Sequence, residues 1–349
     1  MTDPVIAPNP GYKRIATEEA FAPPILLKMY LDLYESRSLD DPGFDSLWGF
    51  YLTSMAPRPK LIREKLADLD AMRIADMDAT GIDHQVISLT SPGVQVFDRD
   101  TAVAVARDSN DMLHDAIVKH PTRFSGLCAI APQAPELAAQ ELERCVKLGF
   151  KGIINNSHTF GEYLSDPKFW PIFEAAEAMS MPIYIHPNTP PKSMIGPMLE
   201  AGLDGAIYGF GVETGMHLLR IITAGVFDRF PKLEIIVGHM GEALPYWMYR
   251  LDYMHSAGVK AGRYESMKPL NKKVSDYLKE NVYITNSGMA WEPAIKFAQQ
   301  VCGADRVMYA MDYPYQYTPQ EVVDLDNMDM EPATKKLFYQ GVAEKVFKL

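Results

Sequence analysis

Hydrophobic and polar positions alternate along this chain on a scale of about one short run every few tens of residues. Apolar, β-branched runs stand at 14–20 (RIATEEA), 84–90 (HQVISLT), 124–132 (FSGLCAIAP), 151–157 (KGIINNS), 182–187 (PIYIHP), 233–239 (LEIIVGH), 281–287 (NVYITNS) and 306–312 (RVMYAMD). Between most of them lie stretches with apolar residues at helical spacing, such as PELAAQELERCVKLGF and DPKFWPIFEAAEAMSM. Strands that alternate with helices imply right-handed crossovers and a parallel sheet. Eight such units close naturally into a barrel, so the expected fold class is α/β, a (β/α)8 barrel, with residues 1–349 as one domain. An open doubly wound sheet is the rival, but no strand is followed by a GxGxxG turn.

Two connections exceed what a crossover needs. Residues 21–83 follow the first strand and carry WGFYLTSMAPRP, while residues 188–232 follow the fifth and carry GLDGAIYGFGVETGMHLL. Both leave from C-terminal strand ends, where barrel enzymes place their active sites.

Composition then removes partners. A net charge of -11 argues against nucleic acid or an anionic membrane, though not against a small anionic substrate met by a few arginines. No apolar stretch approaches a membrane span, and the N-terminus lacks the basic and apolar regions of a signal peptide. Cys128, Cys145 and Cys302 stand far apart with no CxxC pair, which fits a reducing, cytoplasmic setting.

Candidate chemistry lies at the strand ends. The first strand ends in Glu18-Glu19-Ala20, the fifth in His186-Pro187, the sixth in Gly238-His239 and the eighth in Asp312-Tyr313-Pro314. Alternation puts Glu18 and Ala20 on one face and Glu19 on the other; a phase error of one residue would exchange the two glutamates. Any one of these groups alone reads as a hydrogen-bonded structural residue. Four of them converging on one barrel axis would be costly to bury unless they paired or held a cation.

The spacing of Glu18, His186, His239 and Asp312, with ATEEAFA, ADMDATGID, LTSPGVQ, GHMGEALPYW and MYAMDYPYQY, resembles the amidohydrolase superfamily. It is most similar to that superfamily's branch of non-oxidative aromatic decarboxylases. The stretches SLWGFY, DGAIYGFGVETGMHLLR and YRLDYMH bring it nearest to the members acting on 5-carboxyvanillate. The resemblance implies Glu18, His186 and Asp312 as ligands of a divalent metal, with Ala20 in place of the hydrolases' second strand-1 histidine. Two carboxylates and one imidazole favour Mn²⁺, with Mg²⁺ or Zn²⁺ as alternatives, and no organic cofactor is implied.

It further implies that His239, oriented by Glu242, passes a proton to Asp312. Glu242 could otherwise serve only a helix start. Tyr51, Arg58, Phe210, Arg250 and Tyr315 would anchor a small aromatic acid, with the two arginines suited to carboxylates. The implied reaction releases CO2 from an ortho-hydroxylated aromatic acid, 5-carboxyvanillate giving vanillate in lignin-derived aromatic catabolism. The alternatives are a 2,3- or 2,6-dihydroxybenzoate substrate, or hydrolysis of a lactone or ester. A homodimer or homotetramer is implied, with one arginine reaching across an interface. His158 lies near enough to reach the pocket, without an assigned role.

Overall fold

The computed structural model describes Ile6 and residues 10–349. Among these residues, nine strand segments occur: β1 (Ile15–Phe21), β2 (His84–Leu89), β3 (Phe124–Gly126), β4 (Cys128–Ala129), β5 (Ile153–Asn155), β6 (Ile183–Ile185), β7 (Ile235–Val237), β8 (Val282–Thr285) and β9 (Val307–Met308). They coincide with the eight expected runs because strands covered on both faces need unbroken apolar sequence. Ile183, Tyr184, Ile185, Ile235, Ile236 and Val237 are all fully buried.

The ninth segment is a refinement of the third run. β3 pairs with β2 and β4 pairs with β5, all in parallel. At the handover the Leu127 N–H donates to the Ile87 carbonyl at 2.9 Å, and the Cys128 N–H to the Gly152 carbonyl at 2.8 Å. One stave therefore serves two neighbours in turn. Round the barrel the order is β1-β2-β3 and then β4-β5-β6-β7-β8-β9. Among the described residues, no ladder forms at the seam. Two backbone bonds bridge it, from Thr17 N–H to the Tyr309 carbonyl at 3.2 Å and from Ala20 N–H to the Tyr313 carbonyl at 2.7 Å.

The intervening stretches form helices as their spacing predicts. PELAAQELERCVK is the helix Pro135–Lys147, burying Ala138, Leu142 and Cys145 on one face. Both long connections are helical and stand over the C-terminal strand ends. The first holds α1 (Pro24–Ser36), α2 (Pro42–Thr53), α3 (Pro57–Ala67) and α4 (Ala71–Thr80). Asp41 caps α2, its carboxylate accepting from the Gly43 and Phe44 N–H groups at 2.9 and 3.0 Å. Trp48 then anchors α2 to the barrel rim, its indole N–H donating to the Ser91 carbonyl at 3.1 Å. The second connection holds the helices Lys192–Ala201, Gly209–Thr223 and Val226–Arg229. Among the described residues, no helix is long and apolar enough to cross a membrane.

Candidate active site

β1 does not alternate evenly. Its pairing with β2 shifts register between Ala16 and Glu19, and this bulge separates the two glutamates sharply. Glu18 turns into the barrel mouth; Glu19 turns the other way and binds backbone. Glu18 Oε2 accepts from the Tyr184 hydroxyl and from Thr285 Oγ1 at 3.0 Å. Glu18 Oε1 is buried and has no hydrogen-bond partner. It faces His186 Nε2 at 3.4 Å and His239 Nε2 at 3.6 Å. Gly238 makes this placement possible, because a Cβ there would stand 2.5 Å from Glu18 Oε2.

His186 donates from Nδ1 to the Pro187 carbonyl at 2.8 Å, which leaves the Nε2 lone pair directed at Glu18. Burial pushes its pKa down, so the ring is neutral and able to ligate. His239 is held differently. Its Nδ1 binds Glu242 Oε1 at 2.8 Å. Burial opposes a charge on this ring, but Glu242, Glu18 and Asp312 outweigh it and its pKa is pushed up to about 10. Asp312 is also pushed up, by burial first and by the Glu18 charge second. A divalent cation among these groups would draw both pKa values down.

The pair His239 and Glu242 does lie one turn apart, but the turn is left-handed. His239, Met240, Gly241, Glu242 and Ala243 have φ of 50°, 58°, 71°, 51° and 60°. Only one of the five is glycine, and each of the others carries Cβ strain. The reading of Glu242 as a residue serving only a helix start is thereby corrected: its carboxylate turns back to the imidazole. The helix Leu244–Ala261 begins only afterwards. Asp312 is left-handed too, at φ 65°. Its Oδ2 and the His239 ring lie 3.4 and 3.5 Å from where a Gly288 Cβ would stand, so the absent side chain leaves the gap between them open.

These groups form one end of a cavity of about 1080 Å³. His186, His239, Glu242 and Asp312 line it together with Tyr51, Arg58, Phe210 and Tyr315. Tyr315 donates to, or accepts from, Thr90 Oγ1 at 2.6 Å, and its ring meets that of Tyr51 at 5.6 Å. Arg58 is exposed at the rim and donates to the Tyr315 carbonyl at 2.8 Å. Arg250 departs from expectation. It lies away from this cavity and lines a neighbouring one of about 550 Å³, because the helix Leu244–Ala261 turns it to another face. His158 is satisfied by the Thr189 carbonyl at 2.9 Å and the Gly161 N–H at 3.1 Å, and does not line the cavity.

Tyr184, Thr285, Thr90 and Gln316 are site residues that sequence reading passed over. Tyr184 stands two positions before His186, so strand alternation alone puts both on the inward face. Trp247 and Trp291 also line the cavity and are about half exposed.

The donor set fits a divalent ion. A buried carboxylate oxygen without a partner, beside a neutral imidazole nitrogen, is an arrangement that a cation completes. Asp312 is set wider. Among the described residues, the group of three whose ligand atoms all lie within 4.8 Å of one another is Cys128, Glu141 and Cys145. That group is already served by a cation: Glu141 takes Arg144 at 2.9 and 2.7 Å and Asn110 at 2.8 Å.

Fold and site together are those of an enzyme working at the C-terminal mouth of a parallel barrel. The chain belongs to the amidohydrolase family, which matches residues 50–349. A solved structure of 5-carboxyvanillate decarboxylase from Novosphingobium aromaticivorans, with bound manganese and 3-methoxy-4-hydroxy-5-nitrobenzoic acid, is 60% identical. The similarity covers 97% of this chain and 98% of that one, with a TM-score of 0.96. 5-Carboxyvanillate decarboxylase from Sphingomonas paucimobilis is 37% identical over 97% and 99% of the two chains, with a TM-score of 0.90. The gamma-resorcylate decarboxylase of Polaromonas sp. is 36% identical over 347 residues, 96% of this chain and 98% of its own length.

Proposed function

We propose that this protein is a metal-dependent decarboxylase of ortho-hydroxylated aromatic acids and that its substrate is 5-carboxyvanillate, from the breakdown of lignin-derived aromatics. The observation that carries the reading is the sealed, unpartnered Oε1 of Glu18 facing His186 Nε2 at 3.4 Å. Glu18, His186 and Asp312 would hold the ion. The oxygen-rich set favours Mn²⁺ over Zn²⁺, in keeping with the manganese bound by the Novosphingobium relative. When bound, the ion supplies positive charge to the phenolate and carboxylate oxygens of the substrate.

Direct loss of CO2 from an aromatic ring would leave an unstabilised aryl anion. Protonation of the ring carbon that bears the carboxylate avoids it. Asp312, lining the cavity together with His239, delivers that proton. His239, clamped by Glu242, replenishes it. The bond to the carboxylate then breaks, its electron pair restores aromaticity, and CO2 departs. Tyr51, Phe210 and Tyr315 confine the ring. Arg58 meets a second carboxylate at the rim, which supports 5-carboxyvanillate over dihydroxybenzoates.

The outer cavity wall supports a homo-oligomer. Tyr246, Tyr249 and Tyr253 on the helix Leu244–Ala261 are 76, 85 and 64% exposed, a density of aromatic surface that ordinarily marks an interface. Arg250 lies on the same helix and would belong to that interface. Residues 1–349 act as one unit, since α2 and α3 supply Tyr51 and Arg58 to the barrel's own site. Three free, buried cysteines support a reducing, cytoplasmic setting.

Absorbance of 5-carboxyvanillate incubated with the Mn²⁺-loaded protein, beside a chelated sample, tests the proposal. Conversion to vanillate that stops on chelation is expected. Turnover of 2,6-dihydroxybenzoate alone would move the substrate; hydrolysis of a lactone alone would overturn the reaction. Asp312→Asn should abolish turnover while substrate still binds, and retained turnover would remove its role.

A further inference from the structure

Asp312 is asked to do the most demanding chemistry from a backbone conformation that few side-chain-bearing residues adopt, with φ at 65°. Such a conformation persists only where the surroundings fix it. The carboxylate of Glu19 sits directly behind. Its Oε1 accepts from the Met311 N–H at 2.9 Å and its Oε2 from the Tyr313 N–H at 3.2 Å, so the two oxygens straddle Asp312. Glu19 is fully buried and is itself backed by the buried Arg73, which donates to the Ala20 carbonyl at 2.7 Å and lies 4.6 Å from the Tyr313 ring. The Ala20 N–H returns a bond to the Tyr313 carbonyl at 2.7 Å, and the Tyr313 hydroxyl donates to Asp76 at 2.9 Å.

We infer that Glu19 is the positioning residue for Asp312: it holds the two peptide N–H groups on either side and so sets the left-handed turn that aims the Asp312 carboxylate into the cavity. The inference rests on the reading of Asp312 as a metal ligand and proton donor. Adjacent glutamates on β1 thus have separate duties. Glu18 offers an oxygen to the ion, and Glu19 aims the opposing carboxylate from the far side of the seam. Only a carboxylate can do this, since both flanking groups are donors; the amide of glutamine would turn an NH2 group toward one of them.

A two-residue cycle reads this directly through Mn²⁺ affinity, measured from the magnetic-resonance signal of free Mn²⁺ in titrations of the metal-stripped protein. Glu19→Gln should weaken Mn²⁺ by about tenfold or more, as loss of a ligand's supporting partner does, and lower kcat with KM little changed. In an Asp312→Asn background the same change should weaken Mn²⁺ no further, because the carboxylate it aims is gone. Equal losses in both backgrounds, or no loss where Asp312→Asn alone does weaken binding, would show that Glu19 merely braces the barrel. Wild-type affinity in Asp312→Asn itself would instead remove the ligand role of Asp312, and the positioning role with it. If Glu19→Gln does not fold, Glu19→Asp keeps the charge one methylene short of its donors, and the same cycle decides.

Discussion

The two oxygens of Glu18 live in different surroundings: one is bonded to Tyr184 and Thr285, the other faces two imidazoles with no bond of its own. Their positions depend on a missing side chain as much as on those present. Gly238 has an ordinary φ of -78°, so its backbone does not call for glycine; the space does. Gly238→Ala would drive a methyl group to 2.5 Å from Glu18 Oε2 and push the carboxylate off its bonds. The expected outcome is Mn²⁺ binding weakened by about tenfold or more with the fold retained, checked by metal titration beside circular dichroism. Undiminished affinity would show that Glu18 is not the ligand. Glu18 stood out at this scale because its charge interrupts an apolar strand run, and His186 and Asp312 because each follows one. Tyr184 was equally within reach by alternation. Thr90 ends the second run and was within reach in the same way, whereas Gln316 carries no such signal, since it stands in a connection whose path only the folded chain reveals.

Among the elements, the segment His239–Ala243 shows most clearly where sequence reading stops. GHMGEALPYW reads as the start of a helix, and a helix does follow at Leu244. Nothing in the residue pattern announces that the five positions before it wind the opposite way. Left-handed turns are disfavoured locally by roughly 1–2 kcal/mol per residue, so this one is imposed by its surroundings: the bond between His239 and Glu242, and the close passage of Gly211, whose Cβ would stand 3.0 Å from Glu242 Oε2. Part of that strain is removable without touching either side chain of the pair. Ala243→Gly should raise the thermal midpoint by about 1–3 °C, glycine's relief at φ 60° being offset in part by its freer unfolded chain. A calorimetric scan showing a lowered midpoint would mean that the turn is not strained at Ala243. The strands were legible for the opposite reason. Buried on both faces, they need continuous apolar sequence, and that survives any uncertainty of pairing. The division of the third run at Leu127 was not, because a change of hydrogen-bonding neighbour leaves no mark on composition. Arg250 shows the same gap between sequence and direction: nearness to His239 along the chain says nothing of which helix face it occupies, and within one chain it lines the neighbouring cavity.

For the whole molecule the exposed aromatic face is the feature to test. Tyr249 is 85% exposed on a helix that also helps to wall the cavity. A charge at that position should split the assembly if this face joins subunits. Tyr249→Glu is expected to halve the mass measured by light scattering or lower it further, and an unchanged mass would place the interface elsewhere. The barrel's seam has a different consequence, one that concerns how the protein is made. β1 precedes the other described strands along the chain, yet its closing bonds run to Tyr309 and Tyr313, and Glu19 binds beside them. Glu18 and Asp312 therefore meet only after β9 and the turn that follows it have been synthesised. A nascent chain halted before the last stave carries Glu18 and lacks Asp312, so no fragment that stops short of β9 brings the two carboxylates together.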